Sequence, residues 1–224
     1  MMQGNLIVIE GIDGSGKSTQ YKKLCERLEK ENYCFRKIVF PRYDKDSSAL
    51  IREYLSGEFG TNPDDVNAYA ASTFFAVDRF ASFKTDWGEY YNQGGLVLSD
   101  RYTTSNACHQ GSKLPPEDRR KFLEWLYDFE FNLLGLPAPS LVIYLNIDID
   151  VSKRQMDKRQ NDTNTEADIH EKNFDYLQAS LEAGRFAAAT YGWKVVDCVA
   201  DGVMRSIEDI HEEIYSFVMD AVKK

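Results

Sequence analysis

Residues 6–19 read LIVIEGIDGSGKST: an apolar run, Leu6–Glu10, that opens directly into Gly11-Ile12-Asp13-Gly14-Ser15-Gly16-Lys17-Ser18. The second half fits G-x-x-x-x-G-K-[ST] in full, and its surroundings fit as well. A strand-like run precedes it, and an amphipathic segment from Thr19 to Lys30 follows. Glycines let the backbone curl so that successive N–H groups face one anion, and the helix start adds partial positive charge. Gly11 to Thr19 is thus expected to cradle ATP, with Lys17 reaching the β- and γ-phosphates and Ser18 on Mg²⁺. A plain glycine-rich turn would not need both the lysine and the hydroxyl.

Similar short apolar runs recur along the chain at Ile38–Phe40, Leu96–Ser99, Leu141–Asn146 and Val195–Cys198. Their continuous apolarity, without alternation, suits strands buried on both faces of a parallel sheet. Helical patterns lie between them, near 17–31, 46–56, 65–84, 117–134, 169–191 and 206–222. Alternation of this kind predicts an α/β, doubly wound, five-stranded parallel sheet with helices on both faces.

Composition agrees. The 224 residues suit one domain spanning 1–224, and 43% hydrophobic with 28% charged residues excludes wholesale disorder. A net charge of −9 argues against nucleic acid as the main partner. The N-terminal MMQGNLIVIEG has neither a basic n-region nor a small-residue cleavage site, and no apolar stretch is long enough for a membrane span. Cys25, Cys34, Cys108 and Cys198 are scattered, as in reduced cytoplasmic proteins.

One stretch breaks the pattern. Gln155–Asp168 (QMDKRQNDTNTEAD) is polar and charged, so it is either a solvated helix end plus a loop or a mobile lid.

The phosphate loop does not say what happens to the phosphate. No Asn-Lys or Thr-Lys dipeptide supplies a guanine reader, and the chain leaves little room for a motor ATPase, so a small kinase fits best. Three clusters fall where its acceptor would sit, at the carboxyl ends of strands. They are Phe40-Pro41-Arg42-Tyr43, Ser99-Asp100-Arg101-Tyr102 and, on a helix, Phe74-Phe75-Ala76-Val77-Asp78-Arg79. Phe75 and Arg79 are four apart and share a face, so a ring and a guanidinium could meet one ligand. Singly, Phe75 could equally be core and Arg79 a surface ion pair. Together, Arg42, Arg79 and Arg101 suit an acceptor that already carries phosphate, not a neutral nucleoside.

These segments resemble the thymidylate kinase family: IEGIDGSGKSTQ (9–20), FPRY (40–43), FFAVDR (74–79) and SDRYTTSNACHQG (99–111). The resemblance runs through the whole chain in order and spacing. It implies transfer of the ATP γ-phosphoryl group to dTMP and a homodimer. A kinase for another nucleotide or deoxynucleoside, or a nucleotide-binding module without turnover, is the alternative.

The resemblance also implies roles. Phe75 would stack on thymine, with Arg79 at the base or phosphate edge and Asn106 at the base. Arg42 and Arg101 would hold the acceptor phosphate, and Asp13 the sugar 3′-hydroxyl. Phe40, Tyr43 and Tyr102 would wall the pocket, and Asp100 would join Ser18 at Mg²⁺. One branch of the family places an arginine where this chain has Gly14. In the other branch the lid supplies that charge, which points here to Arg154 and Arg159 in a lid of about 153–170. His109 stands where many relatives have a tyrosine that acts against a ribose 2′-hydroxyl.

Overall fold

The computed structural model describes residues 4–163 and 173–223, with the backbone only for 159–163. Strands β1 (Asn5–Glu10), β2 (Phe35–Val39), β3 (Leu96–Asp100), β4 (Leu141–Asn146) and β5 (Lys194–Asp197) form one parallel sheet in the order β2-β3-β1-β4-β5. The doubly wound architecture expected from the sequence is the one observed.

Period-two geometry divides the core between the two faces. Leu6 and Val8 of β1 face one cluster, with Trp87, Tyr91 and Phe122. Ile7 and Ile9 face the other, with Leu24, Leu28, Ile210 and Ile214 from α1 (Lys17–Lys30) and the C-terminal helix (Ile207–Val222). Central strands are therefore buried on both faces. The edge strands are not: only Ile38 of β2 and only Val196 of β5 are buried. The expectation of two-sided burial for all five strands is corrected at both edges, where Arg36, Lys37 and Lys194 discourage further pairing.

The remaining helices, in chain order, are α2 (Ala49–Ser56), α3 (Ala68–Ser82), α4 (Gly88–Asn92), α5 (Thr103–His109), α6 (Pro116–Tyr127), α7 (Ile149–Thr163) and α8 (Phe174–Tyr191), with α9 at the C-terminus. Wide π turns at Phe83–Trp87 and Asp128–Leu133 follow α3 and α6, so both expected long helices contain a bulge. The sequence reading does not include α4, α5, α7 or a small antiparallel hairpin, β6 (Val199–Ala200) with β7 (Val203–Met204). The polar stretch begins as helix, since 155–163 continue α7; residues 164–172, where most of the remaining lid candidate falls, lie outside the described residues. Among the described residues no helix is long and apolar enough to cross a membrane.

β1 lies between β3 and β4, so the strand order reverses at its carboxyl end. Crevices open at such switch points, and the phosphate loop leaves β1 there.

Candidate active site

The loop from Gly11 to Gly16 needs its glycines for definite reasons. Gly14 has φ +77, and a Cβ there would lie 2.9 Å from Ser152 Oγ and closer still to the Ser152 carbonyl. Ser152, on α7, in turn donates a hydrogen bond to the Asp13 carbonyl at 2.6 Å. Gly16 starts α1 with φ +85, and no side chain caps that helix end or places an acid in its first turn. Its first N–H groups are left to an anion.

Lys17 is buried, with Nζ 3.3 Å from the Ile12 carbonyl. Burial, then the neighbouring Arg101 charge, holds it below the ordinary lysine range, against Asp13, Asp100 and Glu10. Ser18 Oγ donates to Asp100 Oδ2 at 3.1 Å. Asp100 Oδ1 is buried and has no hydrogen-bond partner among the described residues. Ile12 and Ser15 are buried in the loop, while Thr19 faces solvent.

β3 delivers Arg101 in an uncommon conformation, φ +66, in the left-handed region. That turn sends its guanidinium back over the end of β1. Nη2 pairs with Asp13 Oδ1, and Nη1 lies 3.9 Å from Glu10 Oε1 and 3.1 Å from His109 Nε2. Burial opposes the arginine charge, but Asp13, Glu10 and Asp100 more than offset it and hold Arg101 above its ordinary value. His109 goes the other way: burial, then the Arg101 charge, pushes it down to about 3. A neutral His109 with Nε2 as acceptor receives the Arg101 N–H. Glu10, wholly buried, accepts from Gly11 N–H at 2.9 Å and from the Thr104 and Ser105 hydroxyls at 2.7 Å each.

A cavity opens beside this cluster. Asp13 and Arg101, beside the phosphate loop, line it together with Phe75, Arg79 and Asn106, and Phe40, Tyr43, Tyr102 and His109 contribute to the wall. Phe75 and Arg79 do share a face of α3, and both reach the cavity. Arg79 is no surface ion pair. It is 1% exposed, and Nε and Nη2 grip the buried Glu130 carboxylate at 2.6 and 2.5 Å. Tyr102 is anchored from behind through its hydroxyl, which donates to the Pro137 carbonyl at 3.1 Å.

Arg42 sits differently from its expected place. It is not in the cavity lining; Asp78 accepts from its backbone N–H at 2.8 Å and its Nε at 3.1 Å, and Nη2 donates to Ser47 Oγ at 3.1 Å. Nη1 carries no such bond among the described residues. Arg154 is exposed on α7, 3.4 Å from the Gly202 carbonyl in the β6–β7 turn and apart from the cavity lining. The Arg159 side chain lies outside the described residues.

Four residues that hold the site have no role assigned from the sequence: Glu10 and Asp78, although inside the quoted motifs, and Glu130 and Ser152 outside them. A signal existed for three of them. Each of Glu10, Asp78 and Glu130 is an acid set in an apolar run, and such a charge needs a partner when buried. Ser152 gave none.

The comparisons with known proteins point one way. The family model described as thymidylate kinase matches residues 9–214. The thymidylate kinase of Mycobacterium tuberculosis (strain H37Rv) is 32% identical over 190 residues, covering 84% of this chain and 87% of that protein. The human thymidylate kinase is 28% identical over 226 residues, covering 99% and 92%. A solved structure of thymidylate kinase from Candida albicans shares the fold, with TM-score 0.71 and 21% identity over 97% of this chain and 92% of that one. The match takes in the phosphate loop, the Arg101 turn and the helix carrying Phe75 and Arg79, so the chain belongs to the thymidylate kinase family.

Proposed function

We propose that the chain transfers the γ-phosphoryl group of ATP to dTMP, giving dTDP and ADP. One observation carries this reading. A single cavity is lined both by Asp13 and Arg101, beside the phosphate loop, and by a ring with two polar side chains, Phe75, Arg79 and Asn106. That layout suits a nucleoside monophosphate lying with its phosphate toward ATP and its base on Phe75.

The acceptor phosphate oxygen already carries charge near neutral pH, because the second phosphate ionisation lies near 6. No general base is needed, and catalysis reduces to positioning and charge neutralisation. The Gly11–Thr19 loop and Lys17 hold the β- and γ-phosphates. Arg101, turned by its left-handed backbone and braced by Asp13 and Glu10, meets the acceptor phosphate beside the γ-phosphate. Arg42 approaches the same phosphate through Nη1, its other nitrogens being held by Asp78 and Ser47. Asp13 takes the 3′-hydroxyl. Phe40, Tyr43 and Tyr102 exclude water around the sugar, and His109 crowds the 2′ position.

The donor set fits Mg²⁺: a serine hydroxyl on a carboxylate whose second buried oxygen is unpartnered among the described residues. Ser18 and Asp100, the latter through water, would hold it. When bound, the ion neutralises charge on the β- and γ-phosphates. Positive charge at the transition state comes further from Arg154 and Arg159 on a lid of about 153–170, since Gly14 leaves the phosphate loop without an arginine.

The chain works as one kinase domain over 1–224 and as a homodimer in the cytoplasm. An apolar strip of α3 supports the dimer: Val77 is 53% exposed, with Thr73, Phe80 and Ala81 half-buried beside it. Free cysteines support the reducing compartment. The test is an ADP-release assay with ATP, Mg²⁺ and dTMP, dUMP, dCMP or UMP as acceptor. Turnover led by dTMP, with dUMP slower and UMP slowest, is expected; equal turnover of all four would contradict the pocket assignment.

A further inference from the structure

Glu130 makes no contact with solvent, yet it is the most heavily engaged acceptor beside the cavity. It follows α6 in the wide turn Asp128–Leu133, in the same i, i+4 row as the buried Phe122 and Leu126. Its Oε2 accepts from Arg79 Nε at 2.6 Å and Thr103 Oγ1 at 2.7 Å. Its Oε1 accepts from Arg79 Nη2 at 2.5 Å and Asn106 Nδ2 at 3.3 Å. Asn106 Nδ2 gives its other hydrogen to the Ser72 carbonyl at 3.1 Å.

Those bonds fix the orientation of two groups at the base end. A flipped Asn106 amide would set its oxygen against a carboxylate and a carbonyl, so the amide nitrogen is committed to the protein. Oδ1 remains for the cavity that Asn106 lines. Arg79 likewise spends its Nε hydrogen and one Nη2 hydrogen on Glu130, and the long 3.4 Å contact of Nη1 to the Tyr102 carbonyl leaves Nη1 a hydrogen for a ligand. Glu130 thus sets Asn106 as an acceptor and Arg79 as a donor toward the cavity. Thymine and uracil present N3–H beside O4, which match this pair. Cytosine presents an N3 acceptor beside an amino donor, which opposes it at both atoms.

We infer that Glu130 is a positioning residue for base choice: by anchoring Arg79 and the Asn106 amide it makes the site select 4-oxo pyrimidines over 4-amino pyrimidines. The inference rests on the assignment of this cavity to the acceptor base. It adds a residue that acts through others and that no base touches. Discrimination of this kind is strong because the wrong base leaves buried polar groups unpaired.

The test is Glu130→Gln. A carboxylate accepts at both oxygens, whereas an amide must turn an N–H toward either Arg79 Nε or the Arg79 Nη2–Asn106 pair. Steady-state kinetics with dTMP and dCMP at saturating ATP, with the KM for ATP and the melting temperature alongside, separate the outcomes. The expected result is a tenfold or greater rise in KM for dTMP and a tenfold or greater fall in the dTMP:dCMP ratio of kcat/KM. The KM for ATP should stay within twofold. A Glu130→Gln enzyme that loses dTMP and dCMP turnover by one common factor would show a merely structural role and overturn the inference.

Should that variant fail to fold, Thr103→Val removes one of the four bonds to Glu130 without touching charge. It is expected to lower the same ratio two- to fivefold, and an unchanged ratio would overturn the inference. Wild-type turnover of dTMP is measured in the same experiment, so failure of the substrate assignment would be seen separately from failure of the Glu130 role.

Discussion

Asp78 holds Arg42 at two points, taking the backbone N–H at 2.8 Å and Nε at 3.1 Å, and so ties the end of β2 to α3. Asp78 is 1% exposed, and the adjacent Arg79 turns the opposite way, to Glu130. Neighbouring residues of one helix thus anchor two different segments, Asp78 the end of β2 and Arg79 the turn after α6.

Asp78→Asn is expected to raise the KM for dTMP. An amide can satisfy only one of the two Arg42 donors, and a charge-assisted hydrogen bond is worth about 1.5–3 kcal/mol. The account expects roughly a tenfold increase, with kcat and the KM for ATP nearly unchanged. Steady-state kinetics with each substrate varied in turn would check it, and an equal rise in both KM values would point to general damage to the fold.

Arg101→Ala should remove turnover without removing ATP. Loss of a transition-state arginine costs on the order of 10³-fold in this chemistry. ATP binding, followed by calorimetry, is expected to persist because the Gly11–Thr19 loop remains. Near-normal kcat in the variant would contradict the role given to Arg101.

Gly14→Arg should not convert this enzyme to the branch that carries its arginine in the phosphate loop. The residue has φ +77, and Ser152 occupies the space that a Cβ would enter. Weaker ATP binding and a lower melting temperature are expected. Unchanged stability with full activity would show that α7 can yield at Ser152.

The phosphate loop and the central strands are legible in the sequence because their constraints are local: glycines before a lysine, and unbroken apolar runs. The i, i+4 spacing of Phe75 and Arg79 likewise states that they share a face, and both do reach the cavity. What the sequence hides is pairing across distance. Arg42 and Asp78, or Arg79 and Glu130, are joined only once the sheet has brought their elements together. Glu130 falls in the i, i+4 row of the buried Phe122 and Leu126, so its burial is legible, but its partners on α3 and α5 are not. Edge strands mislead for a related reason, since Val195 and Val39 look like core in sequence yet sit half-exposed at the sheet margins.

His109 gives a pH prediction. Its value falls from an ordinary 6.5 to about 3 on folding, with burial the leading cause and the Arg101 charge next. Between those limits the unfolded chain binds more protons than the folded one, so stability rises with pH and is lost as pH drops below 6.5. At pH 5 the loss amounts to about 2 kcal/mol, or about 4–8 °C in melting temperature. His109→Gln keeps an acceptor for Arg101 but cannot titrate. Comparing melting temperatures of both proteins at pH 7.5 and pH 5 should show the larger acid loss in the wild type; parallel losses would refute the assignment.

The central claim is that the acceptor already carries phosphate when it meets Arg101. The most direct measurement is product identification after incubation with ATP and Mg²⁺ plus dTMP, thymidine or no acceptor. The account expects dTDP and stoichiometric ADP with dTMP, and no dTMP formed from thymidine. Phosphorylation of thymidine, or ADP release that is the same with and without an acceptor, would contradict it.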